Sequence, residues 1–327
     1  MSLVDLVRKA KNIKDTIRTS LIELKITAFR NKKYDSIYEE ARILILAHSL
    51  EKGMGLPNVN IGYGKDKAQK LCDALIKYNK IMPSNTSYTF IEGIGIMKMY
   101  IRFQKDNGVV IDDIQKKYDS LYNKLTNEQK EKIEKYKCGY EIIEKRMFLD
   151  DIKKADFERI ISTRRSVREF TDAEVKKKDV LEAIRLANYA PSACNRQPIK
   201  VYFTLGEDSS RKINDNISGN KSFTQNVKNF AVITADRAYF SGEEQYQWYI
   251  NGGIYLAYFI ESLHVLGIGS CVMQWFAFSK NEKKLKGLLG IRNSEAIIAV
   301  VSLGYYAERF KCICAQRREV DEMVSFT

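Results

Sequence analysis

The chain has 327 residues, 45% of them apolar, and a formal charge of +13. That much apolar material supports a sizeable core and excludes general disorder, and the length suits about two domains. Lys and Arg exceed Asp and Glu in both halves, 28 against 20 over residues 1–150 and 26 against 21 over 151–327, and they lie beside glutamates along helices. Solvated faces explain that excess, so no nucleic-acid partner is expected, while an anionic small ligand is accommodated.

Residues 3–29 place Leu3, Leu6, Val7, Ala10, Ile13, Ile17, Leu21, Leu24 and Ala28 on a helical period, with lysines and arginines opposite. Such a helix can lie on an anionic membrane, but docking on its own chain or on a partner subunit is the commoner fate. A second helix is expected over Asp35–Lys52, with Gly53 as its C′ residue. The glycine-rich stretch 53–64 leads into Lys65. Val59 and Asp66 stand where a phosphate-binding loop needs Gly and Ser or Thr, so that reading fails. Helices follow over about 65–80, 88–105, 111–125 and 126–149, the last opened by a Thr126/Gln129 capping box. Residues 1–150 therefore read as an all-helical domain.

The texture changes over 151–327. A short helix ends near Thr163, an extended segment spans Ser166–Phe170, and a helix over 177–190 is stopped by Pro191. Strands are expected at 199–205, 230–235 and 296–303. A long apolar helix over 248–266 contains Gly252 and Gly253, which implies close packing or backbone approach. There is no βαβ spacing and no Gly-x-Gly-x-x-Gly after a strand, so the class is α+β rather than doubly wound.

Six unevenly spaced cysteines read as reduced thiols of a cytoplasmic protein. With two histidines in the chain, neither Cys312-x-Cys314 nor the His48/Glu51 pair finds enough partners for a metal. His264, on the apolar helix, reads as a satisfied core histidine. No apolar run approaches the roughly 18–20 residues of a membrane span, so no membrane partner is expected.

Three polar segments carry the chemistry. Arg164-Arg165-Ser166-Val167-Arg168-Glu169-Phe170 offers guanidiniums and a hydroxyl suited to a phosphate, or simply a basic helix end complementing its dipole. Ala190-Pro191-Ser192-Ala193-Cys194-Asn195-Arg196-Gln197-Pro198 is a loop of short hydrogen-bonding side chains, or an ordinary connection. Gly267-Ile268-Gly269-Ser270-Cys271 allows close backbone approach to something flat.

In this order, and with Gly304-Tyr305 and Arg317-Arg318 following, these segments resemble the FMN-dependent nitroreductase family over about 170 residues. The resemblance implies a three-layer α/β/α domain with a mostly antiparallel sheet over 151–327, preceded by the all-α domain. It implies an oxidoreductase that passes reducing equivalents from NAD(P)H through FMN to a small conjugated acceptor, nitroaromatic or quinone. It also implies a homodimer with the flavin at the interface, and no catalytic side chain. By matching position, Arg164, Arg165, Ser166 and Arg317 would hold the phosphate and ribityl chain. Arg168 would sit near flavin N1/O2. Pro191, Ser192 and Asn195 would reach the flavin across the dimer interface, and Gln274 with Trp275 would lie near N5. Ala193 and Ile199 replace the family's Ser and Trp, and Trp275 stands where many members have Gly, so Trp275 either stacks near the substrate or packs. The alternative is a specialised or degenerate flavin-binding module with the helical half as an interaction platform. A further possibility is that residues 1–150 roof the flavin pocket.

Overall fold

The computed structural model describes residues 3–144, 152–204, 207–217, 227–275 and 280–326. Among the described residues up to 144 there are six α-helices: α1 (Leu3–Thr27), α2 (Asp35–Met54), α3 (Lys65–Ile81), α4 (Tyr88–Asp106), α5 (Asp112–Tyr122) and α6 (Asn127–Lys135). No strand occurs among the described residues there. Their common core joins Leu50 of α2, Leu71 and Leu75 of α3, and Phe90, Ile94 and Tyr100 of α4. Thr126 and Gln129 form the expected capping box, each satisfying a backbone N–H at the start of α6.

Two expectations in this half are corrected. Gly53 does not end its helix; α2 continues to Met54. A Cβ on Gly53 would lie 2.1 Å from the Tyr63 ring, so glycine serves there as a seat for an aromatic. The last helix stops at Lys135 instead of continuing to 149, and the chain runs on extended through Tyr136. Cys138 then lodges over Gly95, where a Cβ would meet its sulfur, and Gly139 takes φ +91°. The part of that expected helix over 145–149 lies outside the described residues.

The second half contains α7 (Lys154–Thr163), α8 (Lys177–Ala187), β1 (Ile199–Thr204), α9 (Glu207–Asn214), β2 (Asn229–Asp236), α10 (Gln247–Val265), β3 (Ile268–Met273), α11 (Lys280–Leu289) and β4 (Glu295–Tyr305). The strands form one antiparallel sheet in the order β1-β2-β4-β3. Alternate side chains divide between two cores. Ala231, Ile233, Ala299 and Val301 face α8 and α10, through Val180, Ala183, Phe259 and Leu263. Phe230, Val232, Val300 and Met273 face the other way, toward Ile213 of α9 and Leu285 of α11. Helices thus cover both faces, and the α+β class with its three-layer domain holds.

A register shift between Ile233 and Thr234 lets β4 carry an extra residue, Ile298. Its side chain fills the space over Gly252, where a Cβ would lie 2.5 Å away, while Gly253 meets nothing. Close packing therefore explains Gly252 only. The third polar segment leads directly into a strand, β3.

The halves meet at one end of the sheet. Ile26, Tyr34, Ile37 and Tyr38 of the helical half bury Ala238, in the short turn after β2. Glu40 accepts hydrogen bonds from Tyr78 of its own half, at 2.7 Å, and from Tyr239 of the other. Glu23 lies 3.9 Å from Arg237 and accepts from Tyr249 at 3.4 Å. Among the described side chains, those of α1 that dock on the other half lie toward its C-terminal end, while Leu6, Val7, Ile13, Ile17 and Leu21 are exposed.

Candidate functional site

The basic segment follows α7 and is clamped to the edge of the sheet. Ser166 bridges Ser270 of β3 in parallel, and the Val167 N–H donates to the Ser270 carbonyl at 2.9 Å. Phe170 bridges Tyr306 just beyond β4. Between these fixed points Val167 turns fully inward. A Cβ on Gly269 would meet Val167 at 3.1 Å, and one on Gly304 would meet Phe170 at 2.7 Å. These glycines receive the chain's own side chains, which corrects the reading of Gly269 as a place for a flat ligand. Gly267, at φ +73° with open space beside it, terminates α10.

With Val167 pinned, Arg165 and Arg168 stay exposed and Arg164 is half-buried. Arg164 pairs with Glu261 of α10 at 3.2 Å. Arg165 folds back on the Ser162 and Arg164 carbonyls, the latter at 2.9 Å. Arg168 donates to the Ser166 carbonyl at 3.3 Å. Their field is felt nearby. Burial lowers the pKa of His264, and Arg164 and Arg165 lower it further. Burial raises that of the Cys271 thiol against the opposing pull of Arg168 and Arg164. His264 is satisfied, as expected, though half-buried rather than in the core: Nδ1 bonds the Tyr306 hydroxyl and Nε2 the Thr163 hydroxyl, both at 2.8 Å. Arg317 lies in the extended C-terminal segment and donates to the Ala315 carbonyl at 3.0 Å.

The loop after α8 is wound more tightly than its sequence suggests. Cys194, Asn195 and Gln197 all take left-handed backbone angles, with φ of 50°, 50° and 48°. Non-glycine residues adopt this region only when surroundings hold them there. The Ser192 hydroxyl accepts from the Gln197 N–H at 3.0 Å, and the Ala193 N–H donates to Asn251 of α10 at 2.8 Å. Asn195 Nδ2 donates to the hydroxyl of Tyr88, in the helical half, at 2.7 Å. Pro191 leads in, exposed.

Sequence reasoning missed the anchor of this loop. Arg196 is 2% exposed, donates to the Tyr239 carbonyl at 2.6 Å, grips Glu244 with both terminal nitrogens and lies 4.6 Å from the centre of the Phe240 ring. Burial alone would raise the Glu244 pKa; the hydrogen bonds from Arg196 and from the Ser241 backbone outweigh it and hold the carboxyl below its usual value. Tyr88 was missed too, since its partner lies 107 residues away. Gln274 is exposed beyond β3. Trp275 packs against the core beneath the sheet, and its indole N–H is buried without an acceptor.

His48 Nδ1 lies 3.6 Å from Glu51, a half-exposed pair. Among the described residues no group of three His, Cys, Asp or Glu could hold a metal, and no helix is long and apolar enough to cross a membrane. None of the six cysteines is in a disulfide. The donors present fit FMN: guanidiniums and a hydroxyl suit a terminal phosphate, and the Trp275 N–H still has hydrogen-bonding capacity.

A family model described as the nitroreductase family matches residues 161–232 and 223–305. An Archaeoglobus fulgidus protein carrying the name NADH dehydrogenase/NAD(P)H nitroreductase is 27% identical over 147 residues, which is 45% of this chain and 83% of that protein. Among solved structures, the chain is similar to an FMN-dependent nitroreductase from Clostridium difficile, at 23% identity over 51% of this chain and 96% of that one, with a TM-score of 0.43. It is also similar to a Desulfovibrio desulfuricans nitroreductase solved in complex with FMN, at 18% identity over 52% and 95%, with a TM-score of 0.43. The family match does not extend to α1–α6.

Proposed function

We propose, from the nitroreductase-family match over residues 161–305, that the protein is an FMN-dependent oxidoreductase passing reducing equivalents from NAD(P)H to a small conjugated acceptor of the nitroaromatic or quinone type. The observation that supports it most is the Arg164–Arg168 turn, clamped to β3 through Val167 so that three guanidiniums gather on the side away from the core. Arg164, Arg165, Ser166 and Arg317 would bind the phosphate end. Arg168 would place a positive charge where reduction adds electron density, an electrostatic contribution that transfers no proton. Pro191, Ser192 and Asn195 would line the site from the loop, with Gln274 and Trp275 near the reactive edge. Bound there, FMN would supply the hydride chemistry, so the protein needs no catalytic side chain and its part is to bind, orient and shield.

The working unit in this reading is a cytoplasmic homodimer. The homodimer is supported by a stripe on α10, where Ile250, Ile254 and Tyr258 recur every fourth residue and are exposed, continued by the exposed Tyr246 just before the helix. The purified chain is expected to be yellow and to release FMN on heating. NADH or NADPH should bleach the colour without oxygen, and an acceptor panel should restore it. Release of FAD, or a colourless protein that takes up no FMN, contradicts the assignment. Colour that neither nucleotide bleaches points to a flavin-binding module.

A further inference from the structure

The helical half lies outside the family match, yet it packs on the flavin loop through α2 and hydrogen-bonds it through Tyr88. Tyr88 begins α4. Its hydroxyl accepts from Asn195 Nδ2 at 2.7 Å and reaches the Asn195 carbonyl at 3.4 Å. Its ring lies 6.4 Å from that of Tyr136, which fixes the direction of the hydroxyl. Asn195 is the middle of the three left-handed residues, and Gln197 donates to its Oδ1 at 3.1 Å. A turn with three such residues relaxes unless it is held from outside. Arg196 and Asn251 hold its backbone from within the catalytic half. Tyr88 alone of these holds the side chain at its tip.

We propose that Tyr88 is a positioning residue for the flavin site, by which the helical half keeps the Cys194–Gln197 turn in its FMN-binding form, and that the buried Glu92 beneath it makes this hold depend on protonation. This rests on the FMN reading above. Glu92 lies one helical turn after Tyr88, on the same side of α4, and is 8% exposed. Its partner is the Cys138 thiol at 3.6 Å. The groups facing it are Glu51 from α2, itself paired with His48, and Tyr136 and Cys138 from the segment after α6. None of those groups is a lysine or arginine. When Glu92 ionises, its charge acts on the Tyr88 hydroxyl through space and draws the hydroxyl proton away from the Asn195 carbonyl, which it reaches at 3.4 Å. The new negative charge also opposes an anionic ligand. Burial and the neighbouring Glu51 push the Glu92 carboxyl up to about 7, which puts the change within the neutral range.

The test is FMN affinity of the full chain, measured by fluorescence titration between pH 6 and 8.5 for wild type, Tyr88→Phe and Glu92→Gln. Tyr88→Phe keeps the ring and removes the hydroxyl. It should weaken FMN about three- to tenfold at pH 6, the loss of one hydrogen bond, without lowering the unfolding temperature in proportion. Wild-type affinity should fall as pH rises through about 7, and Glu92→Gln should make the profile flat. Wild type that binds FMN while Tyr88→Phe binds equally well overturns the positioning role. A wild-type profile that Glu92→Gln leaves unchanged overturns the protonation link. A wild-type chain that takes up no FMN at any pH overturns the functional reading itself, and this proposal with it.

Discussion

At the scale of single residues, charge and burial decide the outcomes. The raised pKa of Glu92 has a cost apart from any ligand. The folded state binds this proton more tightly than the unfolded chain does, so the stability is fully present below the unfolded value of about 4.5 and is lost as pH rises through about 7. A shift of that size is worth roughly 3 kcal/mol above neutrality. Glu92→Gln should therefore leave the urea midpoint nearly unchanged at pH 4.5 and raise it clearly at pH 8; equal effects at both would show that the carboxyl does not titrate there. In the proposed FMN site, Arg164→Ala would remove a charge-assisted contact to the phosphate. Affinity should drop about ten- to a hundredfold, from a loss of roughly 1.5–3 kcal/mol, as read by FMN retained after dialysis. The basic and polar segments were visible in the sequence because guanidiniums, prolines and amides cluster there within a few residues. Arg196 was not, because its role depends on Glu244 and Phe240, which only the fold brings to it.

At the scale of elements, local periodicity was reliable wherever the determinants were local. The helices at 65–81 and 88–106 and the Thr126 cap follow from spacing and one hydrogen-bonding pair. The sequence misled wherever small residues were shaped by a distant partner. Gly267-Ile-Gly-Ser-Cys reads as open to a flat ligand because Gly269 has no side chain, but Gly269 admits Val167 and Phe170, about a hundred residues earlier. Gly53 similarly reads as a helix stop when it is a seat for Tyr63. The adjacent glycines of α10 separate the two meanings. Gly252→Ala drives a methyl into the stiff, β-branched Ile298, where a Cβ would lie 2.5 Å away, and should cost about 1–3 kcal/mol in denaturant unfolding. Gly253→Ala meets nothing and should be neutral or stabilising by up to about 1 kcal/mol. Destabilisation of the monomer by both changes alike would contradict this packing.

At the scale of the whole molecule, two halves with separate cores are tied together at the sheet's end. Glu40 takes hydrogen bonds from tyrosines on both sides, and Ala238 is buried under Ile26, Tyr34, Ile37 and Tyr38. The wild-type chain should therefore melt in one calorimetric transition. Glu40→Ala, which leaves the Tyr78 and Tyr239 hydroxyls without their common acceptor, should lower stability by about 2–3 kcal/mol or split the transition in two. An unchanged single transition would mean the contact contributes little. That the halves join here had no sequence signal, since no linker composition marks the boundary and Glu40 and Tyr239 are far apart in the chain. The junction also bears on inheritance. Suppose the gene is mutagenised at random and colonies expressing it are sorted by loss of yellow colour. The causal codons should not be confined to the arginine turn and the flavin loop; positions 40 and 88 should recur among them, so that a map of colour-defective alleles would run across both halves as one genetic unit.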